Sequence, residues 1–171
     1  YIQRENLTLG IYYGLLLFVI GLFLFFAIVV QQKIYTSYVA YVALLLLMQA
    51  SLDGLTFEYF WPTNTWLANH SILIFSSASV LMMMLYAGSF LKITSLGVRF
   101  KYFYLTLLVL VTLCMFTGMT EGITYELTYP AINGLSLIAL LTIILAIVWM
   151  WIQKQEVNLL FALAFFSVLL G

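Results

Sequence analysis

The placement of charge constrains this chain more than any other feature. Its six basic and six acidic side chains fall in clusters, leaving Asn6–Gln32, Ile34–Leu52, Tyr59–Leu91, Tyr102–Thr120, Leu127–Gln153 and Val157–Gly171 with no charge at all. A hydrocarbon core about 30 Å thick is crossed by about 20 helical residues, so runs of this kind predict membrane spans. A soluble fold offers no alternative: 65% of the residues are hydrophobic and 7% charged, against about 45–50% and about 25% in an ordinary soluble domain. A β-barrel would show apolar and polar residues alternating in segments of roughly 10. Blocks such as Leu15-Leu16-Leu17-Phe18 and Leu44-Leu45-Leu46-Leu47 do not alternate. The expected fold is an all-α polytopic transmembrane helical bundle.

Boundary residues set the spans at about 9–30, 35–52, 67–91, 102–118, 130–152 and 157–171. Gln31-Gln32-Lys33 leaves only a short turn between the first two, which makes them antiparallel neighbours. Asp53-Gly54 is suited to stopping the second, because Gly accepts the left-handed conformation and Asp bonds nearby backbone. The loop that follows gathers Phe57, Tyr59, Phe60, Trp61 and Trp66 around Pro62, amphipathic rings typical of the membrane boundary. Pro130 is expected at the start of the fifth span, where its missing N–H is harmless. The chain opens on Tyr1 and stops at Gly171 inside an apolar run, so it reads as a fragment with its sixth span cut short.

Assigning alternate connections to alternate sides puts Lys33, Lys92, Arg99, Lys101 and Lys154 together and leaves Arg4 alone on the other side. Cytoplasmic loops carry the excess of Lys and Arg, so the N-terminus is expected outside the cytoplasm. Glu5, Asp53, Glu58, Glu121 and Glu126 then lie outside and Glu156 inside.

Intramembrane catalysis and ion-coupled transport display ionisable residues at depth, and the spans hold no paired Asp, no HExxH and no serine hydrolase signature. No catalytic residue, cofactor or metal site is expected. Zero net charge and the lack of a basic tract argue against a nucleic-acid partner. Cys114 is the single cysteine and reads as a small packing residue. Gly10 and Gly14 form a GxxxG with Gly21 further along nearly the same face, a spacing that lets helices approach closely, within the chain or in a homodimer. Gly134 reads as a further close-packing position. His70 is the only histidine. Histidine is the residue type most used as a physiological pH switch, which makes this one a candidate sensor or ligand contact, or a boundary residue bonded to water or loop backbone. Asp53, Glu58, Trp61, Trp66, His70, Glu121 and Glu126 together make a candidate ligand or docking face, unless the acids are simply solvated and the rings simply anchored.

The run Gly10-Ile11-Tyr12-Tyr13-Gly14, then Tyr35 and Tyr38, Gln49-Ala50-Ser51-Leu52-Asp53-Gly54, Phe60-Trp61-Pro62, Trp66-Leu67-Ala68-Asn69-His70 and Ser89-Phe90-Leu91 resembles the bacterial seven-transmembrane receptors with diverse intracellular signalling modules. Specific marks cover roughly the first 95 residues; beyond them the resemblance rests on helix count. It implies a periplasmic sensor domain before the helices, a seventh helix, and a cytoplasmic output domain such as a diguanylate cyclase or histidine kinase after them. The resemblance carries no ligand residues to numbered positions here. The expected function is that of a non-enzymatic sensor region in the bacterial inner membrane, with the lipid bilayer, both flanking domains and a second copy as partners. A small-solute transporter or channel is the alternative, and a structural membrane subunit a third.

Overall fold

The computed structural model describes residues 2–31, 33–91, 96–120 and 123–153. Helices account for nearly all of them: α1 Ile2–Val30, α2 Lys33–Leu52, α3 Leu55–Tyr59, α4 Thr65–Phe90, α5 Val98–Thr117 and α6 Ile123–Ile152. All but α3 are long and apolar enough to cross a membrane, and no strand occurs among the described residues. The expected all-α polytopic bundle is what the chain forms. The span expected from Val157 onward lies outside the described residues.

Local chemistry sets the helix ends. Gln31 takes a left-handed conformation, φ 53°, to reverse the chain between α1 and α2, a conformation that costs an L-residue about 1–2 kcal/mol. Gly54, φ 77°, stops α2 as expected and passes the chain into α3. Asn64 caps α4, its side chain accepting the Leu67 N–H at 3.1 Å, an arrangement worth about 1 kcal/mol. The fifth span departs from expectation: α6 starts at Ile123, so Pro130 lies inside the helix. Its ring leaves the Glu126 carbonyl without an N–H four residues on. Glu126 is exposed, so water or headgroups can meet that carbonyl.

Neighbouring spans run antiparallel. Tyr13 of α1 meets Asp53 just after α2, Phe23 meets Tyr38, Tyr104 of α5 meets Met84 of α4, and Thr128 of α6 meets Thr117 of α5. One end of the bundle therefore holds Asp53, Glu58 and Glu126, and the other Lys33, Arg99 and Lys101; these are the acidic and basic ends below.

The core is a seam along α4. Leu73, Ser77, Val80, Met84, Ala87 and Leu91 are all buried and alternate steps of four and three, the spacing of knobs-into-holes packing. Ala139, Ile143, Ala146 and Met150 of α6 follow the same steps, as do Tyr104, Leu107 and Val111 of α5. Small residues on α4 let α2, α5 and α6 all pack against it. The closest approach is at Gly88, where a Cβ would sit 3.2 Å from the Tyr104 ring. The Tyr104 hydroxyl donates to the Met84 carbonyl, so this buried ring is tied to the turn it packs on. Cys114 packs against the core as a free thiol.

By contrast, α1 packs substantially on α2 alone among the described residues. No residue of its apolar window is buried, against 44% of that of α4.

Candidate functional site

The acidic end gathers most of the residues that composition and spacing single out. Asp53 lies on the Asp53-Gly54 turn, exposed, and its Oδ2 accepts the Tyr13 hydroxyl at 2.5 Å. Gln49, one helical turn earlier, donates its amide to the same carboxylate at 3.3 Å and 3.5 Å. A phenol and an amide thus converge on one carboxylate, and the phenol belongs to a different helix. The pair is exposed, so water competes for both groups and the bond contributes about 0.5–1.5 kcal/mol. Asp53 therefore ties α1 to the end of α2.

Beneath this turn the polar groups are inside. The Thr56 hydroxyl of α3 donates to Ser51 at 3.1 Å, both side chains being buried, and Ser51 donates back to the Leu47 carbonyl at 2.8 Å. Glu58, Phe57, Tyr59 and Phe60 are exposed on the short α3 and the turn after it. Trp61 turns inward instead, its ring 6.1 Å from that of Phe75 on α4, and its indole N–H is buried with no hydrogen-bond partner among the described residues.

His70 is only 5% exposed. Its Nδ1 stands 2.8 Å from the Trp66 carbonyl, a contact that requires the proton on Nδ1, since a carbonyl only accepts. The imidazole also stacks on the Trp66 ring, centroids 4.6 Å apart and planes 15° apart. Trp66 covers it from the exposed side, so the histidine is a wall of the interior and not a surface group.

Glu126 is exposed near the start of α6, where a negative charge complements the helix dipole. Glu121 lies outside the described residues. Asp53, Glu58, Trp61, Trp66 and His70 thus lie along the stretch from the end of α2 through α3 to the start of α4, while Glu126 belongs to another helix. A Cβ at Gly10, Gly14 or Gly21 would meet nothing within 4 Å. No helix of the described residues packs on that face. The surroundings of Gly134 are also open among the described residues.

Two features lie beyond what spacing alone revealed. Tyr13 is a functional partner of Asp53, findable by folding the first two spans about the Gln31 turn and asking which residues fall opposite. A chain of ring contacts also leads inward toward the basic end: Phe23 of α1 lies 4.3 Å from Tyr38 of α2, Tyr38 lies 5.1 Å from Tyr86 of α4, and Tyr86 lies 6.0 Å from Phe90. Contacts of this size between rings contribute about 0.5–1.5 kcal/mol beyond burial. Among the described residues no three His, Cys, Asp or Glu side chains converge on a metal position.

The described residues thus form a multi-pass helical bundle with polar and aromatic side chains at one end and α1 packed on α2. The profile of the 7TM diverse intracellular signalling family matches residues 5–171. The chain belongs to that family and is a transmembrane sensory receptor region, of a kind not itself catalytic. No curated protein and no solved structure matches it.

Proposed function

We propose that the bundle relays the binding of a periplasmic ligand to a cytoplasmic output domain, with α1 as the element that moves. The acidic end faces the periplasm and the basic end the cytoplasm of a bacterium, so the chain enters the inner membrane from outside at α1. Five of the six basic residues on one side support that orientation. A periplasmic sensor domain precedes α1, and a cyclase or histidine kinase domain follows the last span.

The observation that carries this reading is how α1 is held. It has no buried residue in its apolar window, and its recorded attachments are the Tyr13–Asp53 hydrogen bond at one end and the Phe23, Phe26, Tyr35 and Tyr38 rings toward the other. A helix that packs on one neighbour alone among the described residues can change position without repacking the core. The Tyr38–Tyr86 contact then carries the displacement into α4, the centre of the core. A ligand shifts such an equilibrium only by its differential affinity for the two arrangements, and a weak latch keeps that difference small enough to supply.

Reporter fusions after Lys101 and at Glu121 test the orientation: the Lys101 reporter is expected in the cytoplasm, and an extracytoplasmic result there overturns it. The relay is tested in the full-length protein by Asp53→Asn, which weakens the latch. Basal output, read as cyclic dinucleotide formation or autophosphorylation, is expected to change at least threefold. Unchanged output, with protein level and orientation preserved, removes α1 from the relay.

A further inference from the structure

At the basic end the start of α5 and the end of α6 enclose a cleft of about 770 Å³, within the range of about 300–1,000 Å³ that small-molecule sites occupy. Phe103, Leu145 and Trp149 line it with apolar surface, and each is more than half exposed, as expected of side chains that a bilayer would cover. Arg99 stands on its rim, exposed and in no ion pair among the described residues. The helix beginning there is α5, whose N-cap Gly97 has no side chain to cap it. The N–H groups of Val98, Arg99 and Phe100 precede the first intrahelical bond, from Lys101 N–H to the Gly97 carbonyl at 3.0 Å. A guanidinium-bearing residue, a helix N-terminus and an apolar slot thus line one cleft at the end of the bundle.

We propose that this cleft is a binding site for an anionic phospholipid, its phosphate held by Arg99 and the first turn of α5, and one acyl chain laid along Phe103, Leu145 and Trp149. Each part matches one part of the ligand. Arg presents a planar fork that fits phosphate oxygens in pairs, the helix N-terminus supplies N–H donors and the positive end of a dipole, and the apolar wall accepts a chain arriving from the bilayer without crossing water. A free phosphate would use the first two features and leave the slot unfilled, so the lipid is the better fit. The site does not depend on which side of the membrane this end faces. Bound lipid would bridge the start of α5 to the end of α6.

The test is photo-cross-linking in the full-length protein, with Phe103 replaced by benzoylphenylalanine, in nanodiscs holding phosphatidylcholine and a minor fraction of phosphatidylglycerol in both leaflets. Phosphatidylglycerol is expected to be captured at Phe103 at least fivefold above its mole fraction, while the same probe at Leu113, exposed near the opposite end of α5, captures lipids in proportion to composition. Arg99→Gln is expected to bring the Phe103 ratio down to composition and Arg99→Lys to keep part of it. Should Arg99→Gln not fold, the wild-type ratio is followed as salt rises, and it is expected to fall as the headgroup contact is screened. Capture in proportion to composition at Phe103, a ratio that survives Arg99→Gln or high salt, or protein in place of lipid captured at Phe103 would each overturn the proposal.

Discussion

Two helices of this bundle share an apolar character and take opposite places in its packing. Both α1 and α4 are long, apolar and without charge in their spans. Yet α4 is the seam on which α2, α5 and α6 converge, while α1 rests on α2 at the periphery. Lipid tails are as apolar as Leu, so hydrophobicity does not draw one helix inward and leave another outside; close packing does. On α4 the buried positions include Ser71, Ser77, Ser79 and Ala87, small enough for backbones to approach. Along α1 the exposed positions are Leu15, Leu17, Phe18 and Phe25, which interdigitate with lipid as well as with protein. A packed centre and a peripheral helix can thus both be built from apolar spans, the small residues deciding which is which.

The comparison breaks most visibly if the two helices respond alike to truncation. Met84→Ala, at a fully buried position, is expected to cost about 2–5 kcal/mol, whereas Leu17→Ala on α1, 60% exposed, stays within about 0.5 kcal/mol. Unfolding in bicelles by denaturant titration or steric trapping measures both, and equal losses would mean that α1 is part of the core. Next in size is Gly88→Val, which drives a side chain into the Tyr104 ring and is expected to cost about 1–3 kcal/mol, seen as a lower unfolding midpoint. A neutral result would show that α4 and α5 have room to separate. Tyr13→Phe sharpens the contrast at the other helix: loss of its bond to Asp53 removes about 0.5–1.5 kcal/mol from the α1–α2 contact and leaves the α4–α6 contact untouched. Disulfide trapping rates between cysteines placed on each pair separate the two. The smallest effect is expected from Gly10→Leu with Gly14→Leu, within about 0.5 kcal/mol of wild type, because the space beside both is open. If a second copy docks on that face, the same pair of changes lowers the dimer fraction measured by single-molecule photobleaching.

Much of the architecture is readable from charge alone, because an uncharged run bounded by polar residues has few destinations in a membrane. The α1–α2 reversal, the stop at Asp53-Gly54 and the turn at Pro62 follow from local chemistry. The packing order does not. A hydropathy pattern cannot distinguish the lipid-facing side of a helix from the buried side when both are apolar, so the centrality of α4 is hidden in its serines, while the more familiar Gly10 and Gly14 pattern sits on an open face. The start of α6 is misread for a related reason: Pro130 marks a helix's first turn in water, but a helix can extend outward past it where solvent satisfies the freed carbonyl. At the acidic end, Asp53, Trp61, Trp66 and His70 are visible as residue types that a membrane boundary selects. Their burial and partners are not, since these depend on which helix lies opposite, and Tyr13 acquires its role only from that register.

The central claim is that α1 moves against a core that does not, and inter-helix distances test it most directly. In the full-length protein with Cys114→Ser, spin labels at Leu17 and Leu85 report α1 against α4, and labels at Leu85 and Leu141 report α4 against α6, all at exposed positions. Double electron–electron resonance in nanodiscs, with and without Tyr13→Phe, should show the Leu17–Leu85 distribution broaden or shift while the Leu85–Leu141 distribution holds. A change confined to Leu85–Leu141, or equal changes in both, would contradict the account.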